Sequence, residues 1–266
     1  MTLTEEQETL LVPLFCRAQD DNAILLDEKA KEIVQELDFD FDKLAIPRKT
    51  CVTLCLRAQR LDEYTRSFLS ASAHAVVVQL GCGLDSRFLR TDNGYVVWYD
   101  LDMAPVIGLR QKYFTETDRY HMLSASATDL DWVDTISTAD RPVLVIAEGL
   151  LMYLREDDIR ALVLRLQRAF PDCHLVFDAF STMTARRVGA HPSLKKTGAH
   201  VQWGIDDSAL IEGWGEGIRL REEWSFTQAK GIGDLGMGYR LGFKLAGLFP
   251  AARRAHRILY YELGRR

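Results

Sequence analysis

Apolar positions in the first part of the chain recur at helical spacing, and beyond about residue 70 the period changes. Leu10, Leu11, Leu14 and Phe15, followed by Ala23, Ile24, Leu25 and Leu26, mark an amphipathic helical region. Short β-branched and aromatic runs then alternate with amphipathic stretches. They predict strands near residues 75–80, 95–99, 120–124, 143–147 and 174–179, with helices starting near Ser86, Met103, Arg155 and Ser208. Such alternation implies an α/β fold in which helices cover both faces of a mostly parallel, doubly wound sheet. Two later strand-like segments, 219–226 and 257–263, flank the glycine-rich run 231–238 and are placed to pair as a closing antiparallel edge. The chain shows no internal repeat and no low-complexity tract.

The run Val76-Val77-Val78-Gln79-Leu80-Gly81-Cys82-Gly83-Leu84-Asp85-Ser86-Arg87 reads as a buried strand entering a Gly-x-Gly turn and then a helix. Gly81 and Gly83 let the backbone turn sharply while a ligand approaches the main chain. The next strand ends in Asp100-Leu101-Asp102, where a carboxylate beside the turn can accept hydrogen bonds from ribose hydroxyls. A dinucleotide site wants Gly or Ala at the third small position, where the helix faces a pyrophosphate. Ser86 occupies it here, preceded by Asp85, which reads as a helix cap and would repel a pyrophosphate. An acidic turn suits S-adenosylmethionine, a cationic cofactor without phosphate. An NAD(P)-dependent oxidoreductase is the alternative, and a non-catalytic S-adenosylmethionine-binding interaction protein is another.

Composition narrows the class. At 266 residues and 47% hydrophobic, the chain can bury a large core as one compact unit. A net charge of −5, with no basic run in the body of the chain and the Arg253-Arg254 and Arg265-Arg266 pairs reading as solvated ends, argues against nucleic acid as a partner. The sequence holds no long apolar stretch and begins on an acidic segment, so neither a membrane span nor a secretory signal is expected and a cytoplasmic protein is implied. Cys16, Cys51, Cys55, Cys82 and Cys173 form no metal-ligand spacing and read as reduced packing thiols; no metal is expected.

Four ordered segments sharpen this reading. Residues 80–87 resemble the "LGAGLDTR" motif of the leucine carboxyl methyltransferase family. Leu56-Arg57-Ala58-Gln59-Arg60-Leu61-Asp62 resembles its "AARTRFID", Tyr99-Asp100-Leu101-Asp102-Met103-Ala104-Pro105 its "YEVDLP", and residues 146–154 its "AEGVLMYL". The resemblance covers about residues 50–180 and points to the branch of small-molecule, polyketide-type O-methyltransferases. The ending of the chain lacks the "WATKG"-like finish of the protein-phosphatase-modifying branch, which argues against a protein C-terminal leucine as substrate. The resemblance implies a class I S-adenosylmethionine methyltransferase fold, Rossmann-like, with residues 1–70 as an N-terminal helical lid. Residues 71–266 then form the cofactor-binding domain, with an acceptor-pocket insertion near 181–205.

Within that frame Arg57 aligns with the arginine expected to bind the cofactor carboxylate, with Arg60 in reserve. Asp102 aligns with the ribose-binding acid, although Asp100 sits nearer the predicted strand end. Asp129 and Leu130 resemble the family's adenine-binding "ADLRD" segment. Glu148 follows an apolar run and emerges at the carboxyl end of the fourth strand, where open α/β sheets bind ligands. Tyr153 is expected to border the methyl-transfer site. A carboxylate acceptor is already ionised and needs no base, whereas a phenol gains from a positioned histidine. The segment 180–205 carries Arg186, Arg187, His191, Lys195, Lys196, His200 and Trp203. From it His200 is the candidate base, with Trp203 and nearby cations expected to hold an anionic aromatic acceptor. The partner implied is a small-molecule carboxylate or phenol, and a homodimer is compatible with the chain.

Overall fold

The five apolar runs predicted as strands form the parallel body of a seven-stranded sheet in the computed structural model. They are β1 (Val76–Leu80), β2 (Val97–Asp102), β3 (Tyr120–Ser124), β4 (Val143–Ala147) and β5 (Cys173–Phe180). The two late segments, β6 (Ile218–Ser225) and β7 (His256–Leu263), close the sheet as the expected antiparallel edge, in the order β3-β2-β1-β4-β5-β7-β6. The structure describes residues 5–19, 24–189, 200–229 and 247–264, with isolated positions between 238 and 245.

Helices cover both faces. α1 (Glu5–Ala18), α2 (Glu28–Glu36) and α3 (Arg48–Ala71) precede the sheet. α4 (Arg87–Thr91), α5 (Ala104–Arg110), α6 (Trp132–Thr135), α7 (Glu156–Ala169), α8 (Thr182–Gly189) and α9 (Pro250–Ala255) follow within and after it. Strand alternation divides the core: Val77 faces Leu11, Leu14, Leu56 and Leu61, while Val76 and Val78 face Val133, Leu162 and Leu166. β1 and β4 are buried throughout, which is why both read as unbroken apolar runs. Among the described residues no helix is long and apolar enough to cross a membrane.

Three details differ from expectation. β2 starts later than predicted and continues through Asp102, because its register against β1 and β3 extends to Leu101 and Asp102. The segment beginning at Ser208 is a 3-10 turn, Ser208–Trp214, and not an α-helix; Gly213 and Gly215 disfavour propagation. Cys16 and Cys51 are joined in a disulfide, not reduced, since α1 packs along α3 and brings their Cα atoms to 4.6 Å. Cys55, Cys82 and Cys173 are buried packing residues.

Buried charges tie the N-terminal helices to the sheet. Arg87, 0% exposed, donates to Asp62 of α3 at 2.8 Å and to Glu148 beyond β4 at 2.5 Å. Arg90 donates to Asp62 at 2.7 Å and to Asp27 at 2.8 Å, and Arg17 of α1 donates to the same Asp27 at 3.0 Å. Removing one partner leaves the others desolvated and unpaired. Arg87→Met is therefore expected to cost about 3–5 kcal/mol, read in urea denaturation as a lower midpoint with an unchanged slope. A midpoint equal to the parent's would show that the network carries no stability.

Candidate cofactor and acceptor site

The turn after β1 uses both of its glycines. Gly81 and Gly83 have φ of 61° and 51°, in the left-handed region that side chains avoid. A Cβ on Gly81 would stand 3.1 Å from Leu150, and one on Gly83 would stand 3.3 Å from Leu10 of α1. The Gly83 N–H donates to Asp102 Oδ2 at 2.8 Å, and the Met103 N–H donates to Oδ1 at 2.8 Å. Burial pushes the Asp102 carboxyl above its ordinary range, against these two donors that favour its charged form. Asp100 lies two residues before Asp102, on the same face of β2, but is engaged elsewhere. Asp100 is buried and accepts from Trp98 Nε1 at 2.9 Å, from the Tyr120 hydroxyl at 2.6 Å and from Arg110. Arg110 also donates to the carbonyls of Gly83 at 2.9 Å and Asp85 at 2.6 Å, which holds the turn from beneath.

Asp85 corrects one expectation. It caps no helix and does not colour the turn with negative charge; it is buried against Gln79 Nε2 at 2.9 Å and within ion-pair reach of Arg87 and Arg90. Burial alone would raise its pKa, but Arg87, Arg90 and Arg17 hold it well below the usual carboxylate range.

Beyond β3 the chain turns back beside Asp102, with the Ala125 N–H donating to the Asp102 carbonyl at 3.0 Å. Asp129 is exposed there, its N–H donating to the Ser126 carbonyl at 3.0 Å, and its carboxylate has no partner among the described residues. Leu130 next to it is half-buried.

At the ends of β4 and β5 the charges converge. Arg57 reaches over from α3, donating through Nε to Glu148 Oε1 at 2.9 Å and through Nη1 to Asp178 Oδ2 at 3.0 Å. Its Nη2 has no hydrogen bond among the described residues and faces Gly149, whose φ is 63°; a Cβ there would come within 3.2 Å of that nitrogen. The Gly149 N–H donates to Asp178 Oδ1 at 2.6 Å, and His256 Nε2 lies 2.8 Å from Asp178 Oδ2. Although burial works to raise it, Arg57, His256 and the Gly149 N–H hold the Asp178 carboxyl well below its usual range. Burial also lowers the His256 pKa, with Asp178 opposing.

Other predicted residues fall at varying distances from this centre. Tyr153 ends the 3-10 turn Leu151–Tyr153 and is half-buried; burial raises its phenol pKa, with the Arg57 charge opposing. Arg60 faces elsewhere, paired with Glu63 at 2.7 Å and Glu222 at 2.6 Å. The 200–205 segment docks on the turn after β4, where the Gln202 and Trp203 N–H groups donate to the Met152 carbonyl at 2.8 and 3.1 Å. His200 is exposed at its edge, with no hydrogen bond among the described residues. Trp203 does not form an acceptor wall: it is buried in the core 6.1 Å from the Phe177 ring and donates to Glu156 at 3.2 Å. Arg186 and Arg187 are exposed on α8, whereas His191, Lys195 and Lys196 lie outside the described residues.

Sequence reasoning overlooked Asp178, His256, Arg87 and Asp62. Asp178 carried the same signal as Glu148, a lone carboxylate after an apolar strand run. His256 carried none, because only the antiparallel register of β7 sets it opposite Phe180.

The Gly-x-Gly turn, the acidic end of β2 and the Arg57–Glu148 pair lie along the carboxyl edge of the parallel strands. The profile of the leucine carboxyl methyltransferase family matches residues 10–167. The tetracenomycin polyketide synthesis O-methyltransferase TcmP of Streptomyces glaucescens is 37% identical over 270 residues, spanning 97% of each chain. The S-adenosyl-L-methionine-dependent methyltransferase dpfgK of Gibberella zeae is 30% identical over 246 residues, spanning 84% of this chain and 83% of the relative. In fold, a DUF574-family protein of Streptomyces avermitilis superposes with a TM-score of 0.60 at 13% identity, covering 95% of this chain and 96% of its own. The N-methyltransferase NodS of Bradyrhizobium japonicum, solved with S-adenosylhomocysteine, gives 0.50 at 17% identity, covering 89% of this chain and 98% of its own. The chain belongs to the leucine carboxyl methyltransferase family and is an S-adenosylmethionine-dependent methyltransferase.

Proposed function

We propose that the protein methylates a carboxylate or phenolic oxygen of a small metabolite, as the names of its polyketide-type relatives suggest, and does not act on a protein C-terminus. The observation that carries the site assignment is Arg57, fixed by two carboxylates yet with Nη2 unpartnered, beside a left-handed glycine turn. The residues present fit the cofactor. The open Nη2 edge of Arg57 suits its carboxylate, and Glu148 with Asp178 supplies negative charge for its ammonium and sulfonium. Gly81 and Gly83 admit its close approach, Asp102 accepts from its ribose, and Asp129 with the Leu130 backbone N–H serves its adenine.

Bound S-adenosylmethionine supplies an electrophilic methyl carbon and a neutral thioether leaving group. The protein has then to align the acceptor oxygen and keep water away, more than to supply strong acid or base. Leu150 and Leu10 close over the glycine turn, and residues 1–70 act in this reading as the lid that shields it. Tyr153 borders the transfer path between that lid and the acceptor segment. His200, exposed at the start of the 200–205 segment, remains the candidate base for a phenolic acceptor in this reading.

Isothermal titration tests the assignment. S-adenosylmethionine and S-adenosylhomocysteine are expected to bind and NAD and NADP are not. Arg57→Ala and Glu148→Gln should each weaken binding by about 1–3 kcal/mol, as loss of a charge-assisted hydrogen bond implies. Parent-like affinity in both variants would remove these residues from the cofactor site.

The same cluster sets a pH dependence. A carboxyl depressed in the folded state adds stability above the unfolded pKa near 3.9, and that stability is lost as pH falls towards the folded value. The gap in unfolding free energy between the parent and Asp178→Asn should therefore narrow as pH falls below about 4. Urea denaturation across that range reads it, and a gap that widens at low pH would refute the depressed Asp178.

A further inference from the structure

The disulfide between Cys16 and Cys51 joins the helix that covers the glycine turn to the helix that carries Arg57. Cys16 lies in the last turn of α1 and Cys51 in the first turn of α3, six residues before Arg57. Next to Cys16, Arg17 donates to the carbonyl of Leu84, the residue after Gly83, at 3.3 Å and to Asp27 at 3.0 Å. Leu10, nearly two turns earlier on α1, packs against the space a Gly83 side chain would need. Pro13 stands between Leu10 and Cys16 and donates no N–H to the helix. α1 thus has a weak point between its cover and its base, and the bridge sits at the base.

We propose that the Cys16–Cys51 bridge is a reversible redox site that governs release of the cofactor product: oxidised, it holds α1 over the glycine turn, and reduced, it lets α1 lift. This rests on the cofactor site proposed above. The reductant is a dithiol, and it enters at Cys51, which is half-buried, whereas Cys16 is 0% exposed. A thiolate of the dithiol attacks the Cys51 sulfur, the S–S bond breaks with its electron pair on Cys16, and Cys16 takes a proton from solvent. The second thiol of the dithiol then displaces Cys51, so two electrons pass to the protein and the dithiol ends as a disulfide. A low-molecular-weight disulfide runs the same exchange in reverse.

The surroundings suit a switch better than a structural staple. Without the bridge α1 keeps Leu11 and Leu14 in the core beside Leu56 and Val77, and it keeps the pair between Arg17 and Asp27. The fold therefore survives reduction, while the base of α1 exchanges a covalent tie for non-covalent ones. Each turnover leaves S-adenosylhomocysteine on a turn that α1 covers, so the rate at which α1 lifts limits product release. Cys55, one turn after Cys51 on α3, is buried with its Sγ 3.4 Å from the Cys16 carbonyl. Both α3 cysteines thus face the same stretch of α1, and replacing Cys16 removes every cross-link between the two helices.

The test follows dissociation of tritium-labelled S-adenosylhomocysteine from the full-length protein, with the state of each cysteine mapped by alkylation and mass spectrometry. The protein is compared after oxidation with glutathione disulfide, after dithiothreitol, and after reoxidation. Reduction is expected to speed dissociation at least about 10-fold, within what a cross-link closing a loop of this size can supply, and reoxidation should restore the slow rate. Cys16→Ser should release the ligand at the fast rate with or without dithiothreitol. Equal rates in the oxidised and reduced parent, thiols that stay alkylatable after glutathione disulfide, or a bridge that dithiothreitol leaves intact in the folded protein would each overturn the proposal. A parent that binds no S-adenosylhomocysteine in either state would instead strike the cofactor site. Amide hydrogen exchange of α1, read without ligand, then still decides whether the bridge holds this helix, and equal exchange in both redox states would refute it.

Discussion

A single guanidinium lets two carboxylates coexist at the heart of the sheet. Glu148 and Asp178 emerge at the ends of neighbouring parallel strands, out of solvent, where the two carboxylates would repel each other. Arg57 answers both at once, bonding one through Nε and the other through Nη1. Its reach depends on Gly149, since any side chain there would occupy the space of the guanidinium. Arg87 then ties Glu148 to Asp62, one turn of α3 from Arg57, so the helix that delivers the first arginine is locked by the second. The cost of burying these charges is offset only while every member has its partner.

This arrangement explains why the N-terminal helices cannot be regarded as an appendage. α3 supplies Arg57 and Asp62, the loop before α2 supplies Asp27, and α1 sets Leu10 over Gly83 and Arg17 against Asp27. The apolar core is shared in the same way, with Leu11 and Leu56 in one cluster with Val77 and Trp98 of the sheet. Residues that cover the glycine turn are thus held by the same buried charges that tie the N-terminal helices to the sheet. Any movement that opens the turn must disturb part of that network.

The end of the cluster towards β7 is built on a different principle. Where the Arg57 end depends on paired charges, the other finishes in an aromatic clamp around one imidazole, with Asp178 common to both. Asp178 therefore couples the two: its ionised state is secured by Arg57, and that same ionised state fixes the tautomer of His256. Trp203, which lies within the segment 181–205 that the sequence suggested for the acceptor, is spent on the core instead.

Local pattern was enough for much of this. Period-two and apolar runs define the strands, and the Gly-x-Gly turn and the carboxylate after β4 are legible because backbone conformation and strand-end charge are local properties. Arg57 was marked by resemblance and not by spacing, whereas Asp102 was one of two carboxylates at the end of the second strand and resemblance chose it over Asp100. What the sequence could not decide was which charges meet. Asp85 and Asp100 look as available as Asp102, yet three buried arginines draw them beneath the turn. His200 looks better placed than His256, which lies 78 residues from Asp178 and reaches it only through antiparallel pairing of the last strand. Pairing of charges and orientation of an imidazole are long-range facts, set by sheet order and helix docking, and only the tertiary structure decides them because no local pattern encodes the distance between remote side chains.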